Sequence, residues 1–144
     1  MEIRPMTKED FPAMVDLTAE FMDEALAEYG TRLELDQLNN TFEQTLECSF
    51  VVLERRKIVG VLAGRIITDF CSSDPAYEEV LWFMSAAYRR YGMKLFNHVQ
   101  QWCIVHGVKR ITMSCMHNSK ADKLFKLYER MGFRPMETRF IKEI

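Results

Sequence analysis

The chain has 144 residues and a mass of 17.0 kDa, which is enough for one domain with a hydrophobic core and short for two. Its content of 48% hydrophobic and 28% charged residues argues against a disordered protein. No apolar run approaches the roughly 20 residues of a membrane-spanning helix, and the four cysteines lack a zinc-binding spacing.

The net charge of −2 conceals an uneven distribution of charges. Residues 1–48 carry twelve acidic and three basic side chains, whereas residues 49–144 carry nine acidic and sixteen basic ones. Two explanations stay open: the acidic helices have solvated faces, or the two regions bind partners of opposite charge. Because the N-terminal residues lack a signal-peptide profile, we expect a cytoplasmic protein with reduced thiols and no membrane partner.

Hydrophobic periodicity and turn residues divide the chain into ten predicted elements. In chain order these are strand 2–6, helix 10–27, helix 36–47, strand 49–54, strand 58–70, strand 79–85, helix 90–106, strand 109–115, helix 121–131 and strand 133–144. Thr7 or Asp10 could cap the first helix, and we favour Asp10, because Pro12 is tolerated only near a helix start. Strand 79–85 is apolar on both faces, which places it centrally in a mixed α/β sheet.

The segment 88–95, with sequence YRRYGMKL, lies between the central strand and a long helix. Such a junction directs backbone N–H groups and the positive end of the helix dipole at one place. Gly92 permits close approach of a ligand, and Arg89, Arg90 and Lys94 add positive charge, so the segment suits a pyrophosphate. Basic helix starts are common, however, so the pattern taken alone is a weak signal and a solvated helix start is its more frequent explanation.

A second segment begins with HNSKA at 117–121 and ends with LYERMGF at 127–133. Together with R-x-x-G-x-K at 89–94 and IRPMT-x-x-D at 3–10, it resembles the GNAT acyltransferase superfamily over essentially the whole chain. More loosely, the combination resembles short acetyltransferase-like proteins of phages.

Two features depart from the family pattern. Lys94 stands where Gly or Ala is usual, and Asn118 and Tyr128 are about one helical turn further apart than in many members.

The resemblance implies a single N-acetyltransferase domain over residues 1–144, with six to seven strands, about four helices and a sheet that splays after the fourth strand. It implies acetyl transfer from acetyl-CoA to a primary amine by direct attack in a ternary complex, without a metal ion. The alternative is a catalytically silent GNAT-like module that binds acyl-CoA or a protein partner.

The resemblance also assigns roles to residues. Backbone groups of Trp82, Phe83 and Met84 would bind the pantetheine arm and the acyl carbonyl. Pyrophosphate would be held by the amides of Arg90, Tyr91, Gly92, Met93 and Lys94, braced by Arg89, with Asn118 nearby in the cofactor site. Tyr128 would protonate the departing thiolate, although core packing on its helix is the ordinary explanation for a tyrosine there.

For the general base we favour Glu79, which strand alternation places on the face of Leu81 and Phe83, with Glu78 as the alternative on the opposite face. Either glutamate could instead be a solvated carboxylate at a strand start. A lone loop histidine such as His117 is more often structural or exposed. No His/Asp arrangement supports Ser114 or Cys115 as a covalent nucleophile.

In the family, the first two helices shape the acceptor side, and their acidity here suits a cationic amine, either a small molecule or a protein amine. The oligomeric state stays open, with a homodimer as one option. Nucleic acid binding is the third hypothesis, based on Arg89, Arg90, Lys109, Arg110, Lys120, Lys123 and Lys126. We do not expect a nucleic acid partner, because no binding motif accompanies these residues and the acidic region opposes it.

Overall fold

The computed structural model describes residues 1–68, 71–118 and 120–144. These residues divide into two compact units, Met1–Ser114 and Cys115–Ile144. The expected α/β class with four helices is confirmed, but the described residues form five strands instead of six to seven. None of the helices in these ranges has the length and apolar character needed to cross a membrane.

In the first unit, the described residues form five strands and three α-helices. They are β1 (Glu2–Pro5), α1 (Phe11–Ala25), α2 (Leu35–Thr45), β2 (Phe50–Glu54), β3 (Lys57–Thr68), β4 (Pro75–Met84), α3 (Gly92–Val105) and β5 (Arg110–Thr112). A 3₁₀ segment, Ala86–Tyr91, joins β4 to α3. The second unit contains α4 (Ala121–Arg130).

The strands form one mixed sheet in the order β1-β2-β3-β4-β5. Neighbours from β1 to β4 are antiparallel, and β5 pairs with β4 in parallel. The hairpin between β2 and β3 turns at Arg55 and Arg56, whose φ angles of 49° and 66° lie in the left-handed region. Two positive φ values are the conformation of the tight hairpin turn that matches strand twist, although Asn and Gly are its usual residues.

The hydrophobic core covers both faces of this sheet. On one face, Met14 and Leu17 of α1 and Phe42 of α2 pack with Leu81 and Phe83 of β4. On the other face, α3 buries the side chains of Leu95, Phe96, Val99 and Cys103. Strand β3 is the central strand, while β4, expected to be central, is second from the edge and pairs with β5 only over Ala76–Glu78. Its apolar run is explained by burial on both faces.

Asp10 does not act as the expected helix cap, since no capping hydrogen bond joins its side chain to α1. Its carboxylate instead accepts hydrogen bonds from the Arg4 guanidinium, at 2.8 Å for each oxygen, and from the Thr7 N–H at 2.8 Å. The hydrogen bond from Arg4 is the main reason why the pKa of Asp10 lies below its ordinary value. Asp10 therefore fastens the start of α1 to β1.

Three strand predictions were wrong in their extent. The described residues 133–144 contain no strand, because their apolar positions do not alternate and Pro135 removes a ladder donor. Strand β4 begins at Pro75, four residues before the apolar run, while β5 is only three residues long. Strand β3 reaches Thr68, and the last two residues predicted for it, Asp69 and Phe70, lie outside the described residues.

Candidate active site

Strands β4 and β5 part halfway along β4. Their parallel ladder joins three residue pairs and ends where Glu78 faces Thr112, whereas β4 continues to Met84. The part of β4 beyond Glu78 therefore has an open edge on its β5 side, in the first unit of the chain. This is the splay expected after the fourth strand.

A bulge at Val80 changes which side chains share a face. Ala63 of β3 lies opposite Leu81, but the next residue, Gly64, lies opposite Glu79, which leaves Val80 as the extra residue. Cross-strand partners share a face and successive residues alternate, so Glu79 lies on the face opposite to Leu81. The expectation that Glu79 shares a face with Leu81 and Phe83 was wrong, because simple alternation does not allow for a bulge.

Glu79 occupies the point where the two strands separate. Its carboxylate accepts a hydrogen bond from the Ser114 N–H at 2.8 Å. Burial raises the pKa of Glu79 to about 7, and hydrogen bonds from Ser114 and the backbone of Trp82 oppose part of that rise. A carboxylate that titrates near neutral pH is suited to act as a general base.

The neighbouring Glu78 has a different environment. It lies opposite Arg65 on the other face of the sheet and accepts a hydrogen bond from the Arg65 Nε at 2.7 Å. This cross-strand ion pair gives Glu78 a structural partner away from the open edge. Of the two candidate bases, therefore, only Glu79 lies where β4 and β5 diverge.

The backbone of β4 presents alternate residues to the open edge. Ser85 donates its N–H to the Val59 carbonyl at 2.9 Å, so Ser85 faces β3. In an antiparallel ladder every second residue faces the same neighbour, so Phe83 also faces β3, whereas Trp82 and Met84 direct their N–H and C=O groups toward the gap. Of the three residues expected to bind a pantetheine arm through the backbone, Phe83 faces β3, while Trp82 and Met84 face the gap. The Trp82 N–H is already used in a hydrogen bond to the Glu79 carboxylate.

The start of α3 was expected to present free backbone N–H groups to a pyrophosphate, and the structure differs from this expectation in detail. The Gly92 N–H donates to the Arg89 carbonyl, because the preceding segment forms a 3₁₀ helix. Gly92 itself has ordinary helical angles, and a Cβ there would lie 3.6 Å from Met84 Cγ and 3.7 Å from Trp82 Cζ2, which are normal contacts. The fold therefore does not require glycine at this position.

The positively charged side chains near this helix start have distinct partners. Arg89 forms an ion pair of 2.5 Å with Glu24 of α1. Arg90 donates to the Ala87 carbonyl at 2.9 Å and to the Tyr91 hydroxyl at 3.0 Å. Lys94 is exposed, and within the described ranges its ammonium group makes neither an ion pair nor a hydrogen bond. Met93, the other predicted residue of this group, is half-buried.

Helix α1 makes two contacts with the segment between β4 and α3 that the sequence analysis did not predict. Besides the Glu24–Arg89 pair, the Ser85 hydroxyl donates to Glu20 at 2.9 Å. Glu20 and Glu24 are one helical turn apart, so they project from the same side of α1. Their spacing was visible in the sequence, but no pattern indicated partners 65 residues away.

In the second unit, the sequence LYERMGF forms a helix stop. The Gly132 N–H donates to the Glu129 carbonyl at 3.1 Å and the Phe133 N–H to the Tyr128 carbonyl at 3.0 Å, while the rings of Tyr128 and Phe133 lie 5.4 Å apart. Gly132 has a φ of 90°. These two bonds, a left-handed glycine and the accompanying apolar contact define a Schellman motif, which gives Tyr128 a packing role.

The other sequence candidates of this unit also have local roles. Asn118 Oδ1 accepts the Lys120 N–H at 2.9 Å, which forms the turn before α4. Burial raises the pKa of the Cys115 thiol, so Cys115 is not activated as a nucleophile. His117 is exposed.

A groove of about 460 Å³ lies elsewhere in the first unit, between α1 and the β2–β3 hairpin. Its lining includes Asp16, Glu20, Arg56, Lys57 and Ser85. Ser85 is six residues beyond Glu79, a separation of roughly 20 Å along an extended strand. The groove is therefore separate from the gap beside β4 in which Glu79 lies.

Comparisons with known proteins agree with this architecture. A sequence profile of the Acetyltransferase (GNAT) family matches residues 11–133. No curated protein sequence matches the chain. Among solved structures, the ribosomal-protein-alanine N-acetyltransferase of Brucella melitensis biovar Abortus 2308 has 12% identity and a TM-score of 0.78, with 99% of this chain and 98% of that chain covered.

Two aminoglycoside acetyltransferases are also similar in structure. One, from an uncultured soil metagenomic sample and in complex with sisomicin, has 17% identity and a TM-score of 0.73, with 99% of this chain and 95% of that chain covered. The other, AAC(6')-Iy in complex with CoA, has 18% identity and a TM-score of 0.69, with 99% and 98% covered. At these identities the likeness shows a common fold.

Proposed function

Because this chain belongs to the GNAT acetyltransferase family, we propose that it transfers an acetyl group from acetyl-CoA to a primary amine of a cationic acceptor. The observation that carries the proposal is Glu79, a carboxylate whose pKa is raised to about 7 at the point where β4 and β5 part. We also propose that residues 1–144 form one N-acetyltransferase domain in the cytoplasm, since the family profile spans both compact units.

The residues beside the gap fit the needs of the donor. Acetyl-CoA supplies a thioester, which reacts with a neutral amine. The Met84 N–H and C=O groups and the Trp82 carbonyl, which face the gap, would hold the pantetheine arm and the acyl carbonyl, while the start of α3, with Arg90 and the unpaired ammonium group of Lys94, would hold the phosphates. The N–H groups at the end of the 3₁₀ segment Ala86–Tyr91 and of Gly92 are not part of this set, since hydrogen bonds within the segment and the bond from Gly92 to Arg89 already use them.

Proton transfer is assigned to Glu79 and Tyr128. Glu79 would accept a proton from the acceptor ammonium, directly or through water, because its pKa lies near the pH at which it must work. Tyr128 would donate a proton to the departing thiolate, as the family resemblance implies. The acceptor would be a cationic amine, in keeping with the acidic first 48 residues, and an aminoglycoside such as sisomicin is a reasonable first probe, since one structural neighbour was solved with it.

Release of CoA thiol from acetyl-CoA, measured with an aminoglycoside, a polyamine and a basic peptide, tests this function. The adjacent glutamates supply a matched pair of variants. Glu79→Gln should lower kcat by about 10²–10⁴-fold with the accepted amine, whereas Glu78→Gln should retain most of the activity. Equal activity in both variants would remove Glu79 from the mechanism.

Tyr128→Phe tests the proposed acid separately from its packing role. Phenylalanine keeps the ring that contacts Phe133, so the helix stop should be preserved while the hydroxyl is lost. We expect unchanged acetyl-CoA affinity and a kcat lower by about 10–10³-fold. A fully active variant would leave Tyr128 as a packing residue.

The alternative is a catalytically silent module that binds acyl-CoA. Lys94 favours this alternative, because a long side chain replaces the small residue usual in the family. Binding of acetyl-CoA by calorimetry, without turnover for any member of the amine panel, would support the silent module over the enzyme.

A further inference from the structure

Next to the start of α3, three flat side chains form a partly exposed cluster, which we define as Tyr88, Arg90 and Tyr91. The rings of Tyr88 and Tyr91 are stacked, with centroids 6.3 Å apart and an interplanar angle of 22°. The Arg90 guanidinium carbon lies 4.5 Å from the Tyr91 ring centroid and 5.9 Å from that of Tyr88. Cation–π attraction therefore holds the guanidinium against the two rings.

The 3₁₀ segment Ala86–Tyr91 explains why this cluster forms. A 3₁₀ helix has three residues per turn, so side chains at positions i and i+3, such as Tyr88 and Tyr91, lie above one another. The hydrogen bonds from Arg90 to the Ala87 carbonyl and the Tyr91 hydroxyl fix the guanidinium further. The cluster is therefore ordered by its own contacts before any ligand binds.

Hydrophobic packing does not account for the cluster, because Arg90 is exposed and both tyrosines are only half-buried. Flat aromatic and guanidinium groups at a surface are the groups on which nucleobases stack. Arg90 has five N–H donors and uses one N–H on Ala87 and one on Tyr91, so further donors can meet a phosphate. The cluster combines a stacking surface with a phosphate-binding edge, one residue before the helix start.

We propose that Tyr88, Arg90 and Tyr91 bind the adenosine 3′-phosphate end of acetyl-CoA, with the adenine stacked on the cluster and the 3′-phosphate beside Arg90. This inference rests on the proposed function, and it adds that the protein selects nucleotide thioesters over donors that carry only phosphopantetheine. A donor with the same acyl-pantetheine arm but no adenosine would lose these contacts.

Dissociation constants for three donors test the proposal: acetyl-CoA, acetyl-dephospho-CoA and S-acetyl-4′-phosphopantetheine. Tyr91→Ala should weaken acetyl-CoA binding about tenfold, the scale of one base–aromatic stack, and leave the affinity for S-acetyl-4′-phosphopantetheine unchanged. Arg90→Ala should abolish the preference for acetyl-CoA over acetyl-dephospho-CoA. Tyr91→Phe keeps the ring and should bind acetyl-CoA within about twofold of the parent.

Arg56→Ala, at the exposed hairpin turn, is the control for loss of one positive charge and should leave all three affinities unchanged. If Tyr91→Ala weakens the adenosine-containing and adenosine-free donors equally, or weakens neither, the inference is overturned, because the cluster then only supports the loop. If the parent binds none of the donors, the proposed function fails, and that result is separate from an altered preference among donors that do bind.

Discussion

Glu78 and Glu79 are adjacent carboxylates that the fold places in opposite environments. Glu78 is paired with Arg65, whereas Glu79 is held by the Ser114 N–H where β5 leaves β4. At Glu79 the effect of burial exceeds that of the hydrogen bonds, and the pKa of the carboxyl group is raised to about 7. A single bulge at Val80 therefore determines which glutamate lies beside the open edge.

The raised pKa of Glu79 predicts a pH dependence of stability. A carboxyl group whose folded pKa exceeds its unfolded value binds its proton more tightly in the folded state, so its contribution is complete below about pH 4.5 and is lost as the pH rises through about 7. Glutamine cannot ionise. The free energy of unfolding of Glu79→Gln, relative to the parent, should therefore rise between pH 5 and pH 8.

Urea unfolding at both pH values measures this difference, with Glu78→Gln as the matched control. Glu78 lies beside Glu79 and loses the same charge on substitution, but it has an ion-pair partner. Parallel stability curves for Glu79→Gln and the parent would mean that Glu79 titrates normally.

Lys94 gives a second prediction at the scale of one residue. Its exposed ammonium group can reach a phosphate, and one charge-assisted contact contributes about 1.5–3 kcal/mol. We expect Lys94→Ala to weaken acetyl-CoA binding at least tenfold at low salt, with a smaller difference at high salt because of screening. Calorimetry at two salt concentrations measures this. Tighter binding by the alanine variant would mean that Lys94 obstructs the site.

At the scale of elements, Gly92 and Gly132, the glycines of the two sequence motifs, are explained by different physical causes. Gly132 has a φ of 90° and ends α4 in a Schellman motif, so its identity is explained by backbone conformation. Gly92 has ordinary helical angles and room for a Cβ. The fold thus accounts for Gly132 but not for Gly92, where we propose that a ligand approaches closely.

Alanine substitutions separate these two reasons. Gly132→Ala should lower the free energy of unfolding by about 1–2 kcal/mol, the cost of a left-handed conformation with a Cβ. Gly92→Ala should keep or slightly raise stability while it weakens acetyl-CoA binding. Chemical denaturation and calorimetry on both variants provide the comparison. Unchanged acetyl-CoA affinity in Gly92→Ala would contradict a close approach of the phosphates there.

The sequence predicted which helices and strands form more reliably than it predicted the residues at which they begin and end. Helices α1 to α4 carry strong periodicity and were found, as was the β2–β3 hairpin, because local side-chain patterns determine them. The N-terminal part of β4 was missed, since Pro75 follows a turn-like sequence and was assigned to a loop, although pairing with β3 makes it part of the strand. The bulge, the short β5 and the 3₁₀ turn before α3 depend on tertiary contacts, which local periodicity does not record.

At the scale of the whole molecule, the charge asymmetry has a partly internal explanation. Residues 1–48 are acidic, but Glu20 and Glu24 contact Ser85 and Arg89 within the first unit. Part of this acidity therefore holds the connection that leads into α3. Other acidic side chains of this region, such as Asp16 and Asp23, are exposed and are the ones that the proposed cationic acceptor would meet.

Substitution of Glu24 tests this assignment. Glu24→Gln removes a negative charge near the proposed phosphate site and releases Arg89, so we expect acetyl-CoA affinity to rise about threefold, the scale of one surface ion pair. Glu28→Gln is the matched control, because Glu28 carries the same charge but is exposed beyond the end of α1. Equal effects of both substitutions would indicate a general charge effect instead of a contact with Arg89.

The alternating backbone of β4 has a consequence for amide hydrogen exchange. Phe83 and Ser85 direct their N–H groups into the β3 ladder, whereas the Met84 N–H points into the gap. Exchange measured residue by residue should therefore be slow at 83, fast at 84 and slow again at 85, within one continuous strand. A ligand that forms hydrogen bonds along this edge would slow exchange of the Met84 amide selectively. The exchange rate at Met84 would therefore show whether a ligand is bound in the gap, without any need for a reaction.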